Sequence, residues 1–269
     1  MQIEGSRVVL TGAAWGIGRA LLAALAAYPA QIAAVDVDDA GLEQAIAALP
    51  DARARILPLV LDLTRPQAVD ALFERACAWM GGVDLFIANA GFAYYGPLGA
   101  PDWERIERLY ALNVISPIYA VQKMAALNRG RPYKVVITAS TMGLLALPGY
   151  ALYAASKAAL HRFAEAYRLE LDDPRRLMLV YPIATRTRFF EAAAERSAPL
   201  PWPVQPPERV ARAVLRGIRH DRLAVHPSPL ARLVLLLDRV LPFVRRLEQR
   251  IEARRFARWL ADDPRRRAG

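Results

Sequence analysis

Short apolar runs rich in β-branched residues alternate with longer segments of helical periodicity over the first two thirds of the chain. Such alternation is typical of βαβ units, in which helices cover both faces of a parallel sheet. We expect seven strands, at residues 7–11, 31–36, 56–62, 83–88, 134–140, 177–181 and 223–226. The pattern therefore predicts an α/β fold, a single doubly wound Rossmann-type domain with a seven-stranded, mainly parallel sheet and helices on both faces.

The segments between the strands carry apolar residues at helical spacing, as in Leu21, Leu22 and Leu25. Pro66, Pro101 and Pro207 stand where the first turns of helices are expected, the position at which proline is best tolerated. These prolines therefore predict where three of the helices begin.

Residues 185–207 depart from the alternation because they combine several prolines with Phe189, Phe190, Leu200 and Trp202. This composition is typical of a lid over a binding site rather than of a strand or a long helix. The aromatic side chains can serve either to surround a ligand or only to pack the segment on the domain, and the sequence leaves both readings open.

Residues 229–269 have leucines at helical spacing and arginines mostly off that stripe, so we predict a basic, amphipathic helical extension beyond a domain of residues 1–228. Its apolar run is interrupted by Asp238, Arg239 and Pro242 and is too short to cross a bilayer. Peripheral contact with anionic lipid, packing on the domain and packing on a second subunit remain open.

The charge of the chain supports this division. Of the net +10, residues 208–269 contribute +9, from 16 arginines against 7 acidic residues. Basic residues are not interleaved with aromatic residues there, which makes nucleic acid an unfavoured partner. Cys77 is the only cysteine and the three histidines are scattered, so we expect neither a disulfide within the chain nor a metal site. Because Met1 leads directly into a strand, we expect a cytoplasmic protein, at the inner face of a membrane if the tail binds lipid.

A glycine-rich turn connects the first strand to a helix, with Gly12, Gly16 and Gly18 surrounding Trp15 and Ile17. Glycine at such a turn lets backbone N–H groups approach a pyrophosphate at the start of the helix. A glycine trio alone can also serve only the turn geometry, so this motif depends on its context.

Asp36 ends the second predicted strand, where a carboxylate can accept hydrogen bonds from the hydroxyls of an adenosine ribose and repel a 2′-phosphate. Val37 follows it, and Trp15 brings no positive charge to the glycine turn. We therefore expect NAD(H) to be preferred, with NADP(H) not excluded because Arg19 stands just past the turn.

The ordered motifs resemble the short-chain dehydrogenase/reductase family over about residues 5–228. The resemblance is carried by Thr11-Gly12-x3-Gly16-Ile17-Gly18, Asp62-Leu63, Asn89-Ala90-Gly91, Asn113, Ser140, Tyr153-x3-Lys157, and Pro182 with Thr187. Ile183 stands where the family usually has glycine, and Ala88 replaces a frequent asparagine. Neither departure affects the catalytic set.

This resemblance implies that Asn113, Ser140, Tyr153 and Lys157 are catalytic. Tyr153 and Lys157 are four residues apart in a helical segment, so they share one face. General acid/base work near neutrality requires the pKa of a tyrosine to fall by about three units. We expect the Lys157 ammonium and an oxidised nicotinamide to favour the phenolate, while Ser140 and Tyr153 bind the substrate oxygen.

The resemblance also assigns cofactor contacts to Asp62 and Leu63, to Asn89, Ala90 and Gly91, and to Pro182 and Thr187, with Lys157 on the nicotinamide ribose. Phe92, Tyr94 and Tyr95 join the aromatic residues of 185–207 around the substrate in that layout. We therefore predict a homo-oligomeric oxidoreductase that moves a hydride between a nicotinamide and the carbonyl or secondary alcohol of a hydrophobic substrate, lipid-derived, acyl or steroid-like. The alternative is a non-catalytic nucleotide-binding protein that acts through its basic tail.

Overall fold

Seven parallel strands form one sheet in the order β3-β2-β1-β4-β5-β6-β7 in the computed structural model of the chain. The structure describes residues 1–99, 102–189, 193, 199, 201–240 and 243–262. The strands are β1 (Arg7–Thr11), β2 (Gln31–Asp36), β3 (Arg55–Val60), β4 (Leu85–Ala88), β5 (Lys134–Thr138), β6 (Leu177–Val180) and β7 (Ala224–Val225).

The predicted doubly wound α/β fold is confirmed, with the correction that every pairing among these strands is parallel. Several strands also end earlier than the apolar runs predict. Residues 61–62, 139–140 and 181 lie beyond the last paired residues. At 140 the cause is visible, because the Ser140 hydroxyl accepts a hydrogen bond from the amide of Met142 and begins a turn there.

Nine helices lie in the described part of the chain: α1 (Gly16–Ala26), α2 (Asp39–Ala47), α3 (Pro66–Met80), α4 (Trp103–Tyr110), α5 (Ser116–Leu127), α6 (Ala151–Glu170), α7 (Pro207–Arg219), α8 (Pro229–Val240) and α9 (Phe243–Ala261). Pro66 and Pro207 begin α3 and α7, as predicted. Pro101, Phe190, Leu200, Leu241 and Pro242 lie outside the described residues.

Alternate residues of the strands enter two apolar layers, one on each face of the sheet. Val9 packs on one face with apolar residues of α3, α5 and α6. Val8 and Leu10 pack on the other with residues of α1, α2 and α7. Each fully buried leucine, isoleucine or valine side chain stabilises the fold by about 1.5–3 kcal/mol. The strands are therefore held on both faces, and their carboxyl ends form one rigid edge.

The strand order reverses between β1 and β4, which places a crevice at the carboxyl ends of these two strands. Ligands of open α/β sheets bind at such a reversal point. The loops after β1 and β4 carry the glycine turn and Asn89-Ala90-Gly91, so the fold brings two of the predicted motifs to this crevice.

The C-terminal helices are α8 and α9, and no helix among the described residues is long and apolar enough to cross a membrane. The rings of Phe256 and Trp259 on α9 contact the ring of Tyr95, with centroid distances of 5.6 Å and 4.8 Å. Of the alternatives that the sequence left open, packing on the domain is thus observed for this helix.

Candidate active site

A cavity of about 500 Å³ opens at the carboxyl ends of the strands. Its lining includes nearly all the site residues predicted from the sequence, namely Gly12, Trp15, Gly16, Ile17, Asp36, Asp62, Leu63, Asn89, Ala90, Gly91, Ser140, Tyr153, Lys157, Pro182 and Thr187. The predicted residues Gly18 and Asn113 stand outside this lining. The fold therefore brings the first motif, at Gly12, and the last, at Thr187, into one cavity.

The glycine turn is shaped by positive φ angles and close packing. Gly12 has φ +69° and Gly16 has φ +53°, a region that side chains disfavour. A Cβ on Gly18 would lie 1.6 Å from the carbonyl oxygen of Gly12, so Gly18 allows the helix to pack against its own turn rather than a ligand to approach. Gly12 and Gly16 line the cavity, and a Cβ on Gly16 would meet the Thr187 side chain at 2.5 Å.

Hydrogen bonds tie the turn to the loop after β4. The Thr11 hydroxyl accepts from the amides of Asn89 and Ala90, both at 3.0 Å. The Asn89 side chain donates to the Gly12 carbonyl at 3.2 Å and accepts from the Thr138 hydroxyl at 3.2 Å. Asn89 therefore joins the ends of β1, β4 and β5 and fixes the floor of the cavity.

An acidic corner forms where β2 ends. The Asp36 carboxylate accepts from the amides of Ala14, Val37 and Asp38 at 2.9, 2.8 and 3.1 Å. Asp38 accepts from the amide of Gly41 and from the Trp15 indole, and these hydrogen bonds lower the pKa of its carboxyl group. Two carboxylates thus flank this end of the cavity.

Arg188 lies over the face of the Trp15 ring. This residue was not identified from the sequence as part of the site. Its guanidinium carbon is 3.7 Å from the ring centroid, within the range of a cation–π contact. Arg188 lines the cavity, whereas Arg19, the arginine considered from the sequence, is not part of the lining. In the sequence, the only indication that Arg188 lies at the site is its position directly after Thr187.

Tyr153 and Lys157 lie one turn apart on α6, and both are buried. The Lys157 ammonium donates to the Thr138 carbonyl at 2.8 Å and lies 5.7 Å from the centre of the Tyr153 ring. Ser140, also buried, stands at the end of β5 where it caps the turn Thr141–Gly143. The three side chains converge on the same wall of the cavity.

Burial dominates the acidity of this pair. It raises the pKa of Tyr153 to about 12, with a hydrogen bond from Ser140 acting in the opposite direction, and it lowers the pKa of Lys157 to about 8. In the protein alone, burial therefore outweighs the charge of Lys157, and the expectation that Lys157 and an oxidised nicotinamide together favour the phenolate stays a prediction. The phenolate loses hydration in this wall, and the lysine is engaged by a backbone carbonyl.

Asn113 lies in a π-helical segment, Ala111–Ile115, that links α4 to α5 and that the sequence pattern did not indicate. Its side chain accepts from the amide of Phe92 at 3.1 Å and donates to the Phe92 carbonyl at 2.9 Å. It also donates to the Ser156 hydroxyl at 3.2 Å. Asn113 therefore clamps the loop after β4 against α6, next to Gly91 and Lys157.

We expect Asn113→Ala to lower the free energy of unfolding by about 1–3 kcal/mol, because two backbone groups of Phe92 lose their partner. Turnover should fall as well, since the loop no longer holds its position beside Lys157. Denaturant unfolding and turnover at saturating substrate measure the two effects. Asn128→Ala is the control, because Asn128 is a buried amide that bonds Val83 and Met124 away from the cavity. Equal turnover losses in both variants would contradict a role of Asn113 at the site.

The far end of the cavity is mostly apolar, with Arg108 as a charged residue whose guanidinium carbon lies 5.9 Å from the centre of the Phe92 ring. Its lining includes Phe92, Leu112, Met142, Ile183 and Phe189, and the Phe189 ring lies 5.4 Å from the Tyr153 ring. The other predicted aromatic residues stand elsewhere. Tyr94 and Tyr95 are not in the lining, and Trp202 is 72 % exposed, so the expectation that they surround the substrate is not met by this geometry.

The predicted lid is held together at its two ends. The Arg186 amide donates to the Gln205 carbonyl at 3.0 Å, and the Gln205 amide donates to the Ala184 carbonyl at 2.9 Å. Thr185, Thr187, Arg188 and Phe189 line the cavity from this segment. The start of the segment therefore forms one side of the site.

Comparison with known proteins identifies the family of the chain. The family model described as short chain dehydrogenase matches residues 6–198. The chain is 34% identical over 189 residues to 1-deoxy-11-beta-hydroxypentalenate dehydrogenase of Streptomyces avermitilis, covering 68% of this chain and 69% of that protein. It is 29% identical over 225 residues to 3beta-hydroxysteroid dehydrogenase 1 of Eggerthella lenta, covering 78% and 85%.

Solved structures show the same fold. A short chain dehydrogenase/reductase from Burkholderia phymatum in complex with NAD aligns with a TM-score of 0.78 at 22% identity, covering 89% of this chain and 94% of that one. A short-chain dehydrogenase from Sphingobium yanoikuyae in complex with NADPH aligns with a TM-score of 0.74 at 26% identity, covering 88% and 94%. The chain belongs to the short-chain dehydrogenase family, and is a nicotinamide-dependent oxidoreductase that acts on CH–OH or C=O groups.

Proposed function

We propose that the protein transfers a hydride between NAD(H) and the carbonyl or secondary alcohol carbon of an apolar substrate, with Tyr153 as the general acid and base. The observation that carries this proposal is the convergence of Ser140, Tyr153 and Lys157 on one wall of a cavity whose opposite end is the glycine turn. Acid/base groups, an apolar surface and a phosphate cradle therefore share one space.

The residues present fit a dinucleotide. A Cβ on Gly12 would meet the backbone of Ala90 at 2.9 Å, so glycine is needed there for the turn to pack closely on the loop after β4. Gly12, Gly16 and Ile17 would hold the pyrophosphate, Asp36 the adenosine ribose, Asp62 and Leu63 the adenine, and Lys157 and Thr187 the nicotinamide end. When bound, the nicotinamide supplies or accepts the hydride and, in its oxidised form, adds a positive charge to the site.

Proton transfer falls to the chain's own groups. In reduction the Tyr153 hydroxyl donates its proton to the substrate oxygen, and in oxidation the phenolate takes it back. The Ser140 hydroxyl has one proton to donate, which it gives to the Tyr153 oxygen in the free protein and to the substrate oxygen when substrate is bound. Because burial holds the pKa of Tyr153 near 12, a positive charge close to the ring is needed for the phenolate to form near neutrality. Lys157 supplies part of that charge.

The preference for NAD(H) rests on the acidic corner. Asp36 and Asp38 both line the cavity, and two carboxylates repel a 2′-phosphate. Arg188 lies over the Trp15 ring, where its charge offsets part of this repulsion, so we expect discrimination without complete exclusion of NADP(H).

Asp36→Ala is expected to reduce the ratio of kcat/KM for NAD over NADP by at least about tenfold, because it removes both the ribose acceptor and one negative charge. Initial rates with each cofactor measure this ratio. Asp39→Asn is the matched control, since Asp39 is an exposed neighbouring acid outside the lining. If the ratio were unchanged in Asp36→Ala, Asp36 would not determine the preference between NAD and NADP.

The apolar far wall supports a hydrophobic substrate. An apolar surface is formed by Phe92, Leu112, Met142, Ile183 and Phe189, and Arg108 over the Phe92 ring is a charged residue beside it. Two relatives are named as dehydrogenases of a hydroxypentalenate and of a 3beta-hydroxysteroid. A panel of apolar secondary alcohols, steroid alcohols among them, tests the proposal with NAD⁺ and NADP⁺ in parallel. Reduced cofactor should form with apolar alcohols, and activity confined to small polar alcohols would refute the substrate class.

A further inference from the structure

The two C-terminal helices present an outer surface that the catalytic site does not use. On α8, Leu230, Leu233 and Leu237 are each at least 40 % exposed. At 100° per residue these three leucines fall within an arc of about 60°, so they form one apolar stripe. Exposed leucines in a contiguous stripe indicate a surface that meets another apolar phase.

The outer face of α9 is basic. Arg250, Arg254 and Arg258 are exposed and four residues apart, which places the three guanidinium groups on the same face. Like charges at this spacing repel one another and destabilise a helix. Ile251 lies beside them and is 46 % exposed. An anionic surface relieves this repulsion, and the arginine stems cover apolar surface while their charges reach phosphate groups.

The inner face of the same helix borders the substrate end of the site. Phe256 and Trp259 contact Tyr95, whose ring lies 4.7 Å from that of Tyr150. The Tyr150 ring in turn lies 6.3 Å from that of Tyr153. The exposed arginines thus belong to a helix whose inner face packs in the same apolar cluster as Met142 and Phe189.

We propose that α8 and α9 form a docking surface for a bilayer that contains anionic lipid. Leucines and arginines together fit a lipid surface, whereas a nucleic acid would engage the arginines and leave the leucines in water. A two-fold contact would set the same patch of two copies together, and the leucines and arginines named here include no carboxylate to pair with the arginines. The inference concerns binding alone and does not depend on the substrate.

Flotation of the full-length protein with phosphatidylcholine vesicles, with and without phosphatidylglycerol, tests the docking surface. We expect co-flotation only with phosphatidylglycerol and loss of binding at high salt. Arg250→Gln/Arg254→Gln/Arg258→Gln should weaken partitioning at least about tenfold. Leu230→Gln/Leu233→Gln should also weaken partitioning, although the charge of the protein is unchanged. This variant separates the contribution of apolar insertion from that of electrostatic attraction to the lipid.

Arg212→Gln/Arg216→Gln/Arg219→Gln is the matched control, because it removes the same charge from exposed positions on α7. It should leave flotation close to that of the unaltered protein. Equal losses in the two arginine variants, binding to neither kind of vesicle, or tight binding of duplex DNA without vesicle binding would overturn the proposal. Concentration-dependent dimerisation that the leucine variant abolishes, with no flotation, would also overturn it. Circular dichroism of each variant confirms that it is folded. NADH titration measures cofactor binding, so that failure of the proposed function is distinguished from failure of lipid binding.

Discussion

Tyr153→Phe should reduce turnover by about 10²- to 10⁴-fold, the range expected when a positioned general acid is removed. The substitution deletes the hydroxyl that exchanges the proton and keeps the ring that packs against Phe189. NADH binding should change little, because the glycine turn and the acidic corner are untouched. Turnover and NADH fluorescence titration on the same preparation separate the two effects.

Tyr167→Phe is the control for this variant. Tyr167 lies on the same helix, almost four turns beyond Tyr153. It is not part of the cavity lining. Its replacement removes the same hydroxyl group from α6 without reaching the site. If Tyr153→Phe turned over substrate as fast as Tyr167→Phe, Tyr153 would not be the proton carrier.

Gly18→Ala is expected to weaken NADH binding by about a hundredfold or more, or to unfold the glycine turn outright. The added Cβ would lie 1.6 Å from the carbonyl oxygen of Gly12. It would also meet the side-chain nitrogen of Asn89, Nδ2, at 2.8 Å. Both contacts are far inside van der Waals distance, so the start of α1 must move away from β1. A shift of this kind displaces Gly12 and Gly16 together and costs several kcal/mol.

NADH titration followed by thermal unfolding measures this effect. Gly99→Ala is the matched control, since a Cβ there meets no atom within 4 Å. NADH affinity of Gly18→Ala equal to that of Gly99→Ala would show that the turn tolerates a side chain and would contradict the packing described for it.

Much of this fold was predictable because its signals are local. Apolar β-branched runs locate the strands, and proline marks the starts of α3 and α7. Motif order along the chain located the site, since parallel strands place their carboxyl ends at one edge and motifs that follow those strands must meet there. Gly18 was predicted as a cofactor residue by its motif, but its packing against Gly12 became visible only in three dimensions.

The features that sequence reasoning missed depend on contacts between distant segments. Arg188 contacts the Trp15 ring, which is distant in sequence, and nothing in either local sequence predicts that pairing. The π-helical turn at Asn113 arises where the side chain must meet Phe92 and Ser156 at once. The pKa of Tyr153 depends on how deeply the ring is buried, whereas the sequence showed only that Lys157 stands four residues away.

Direct hydride transfer is the central claim, and isotope transfer tests it most directly. An apolar secondary alcohol deuterated at its carbinol carbon is incubated with NAD⁺ and the protein, and the recovered cofactor is analysed by mass spectrometry and NMR. The proposed function predicts one deuterium at C4 of the reduced nicotinamide, on a single face, and labelled cofactor that forms about 10²- to 10⁴-fold more slowly with Tyr153→Phe. Reduced cofactor without deuterium, or alcohol oxidation that proceeds without any nicotinamide, would contradict it.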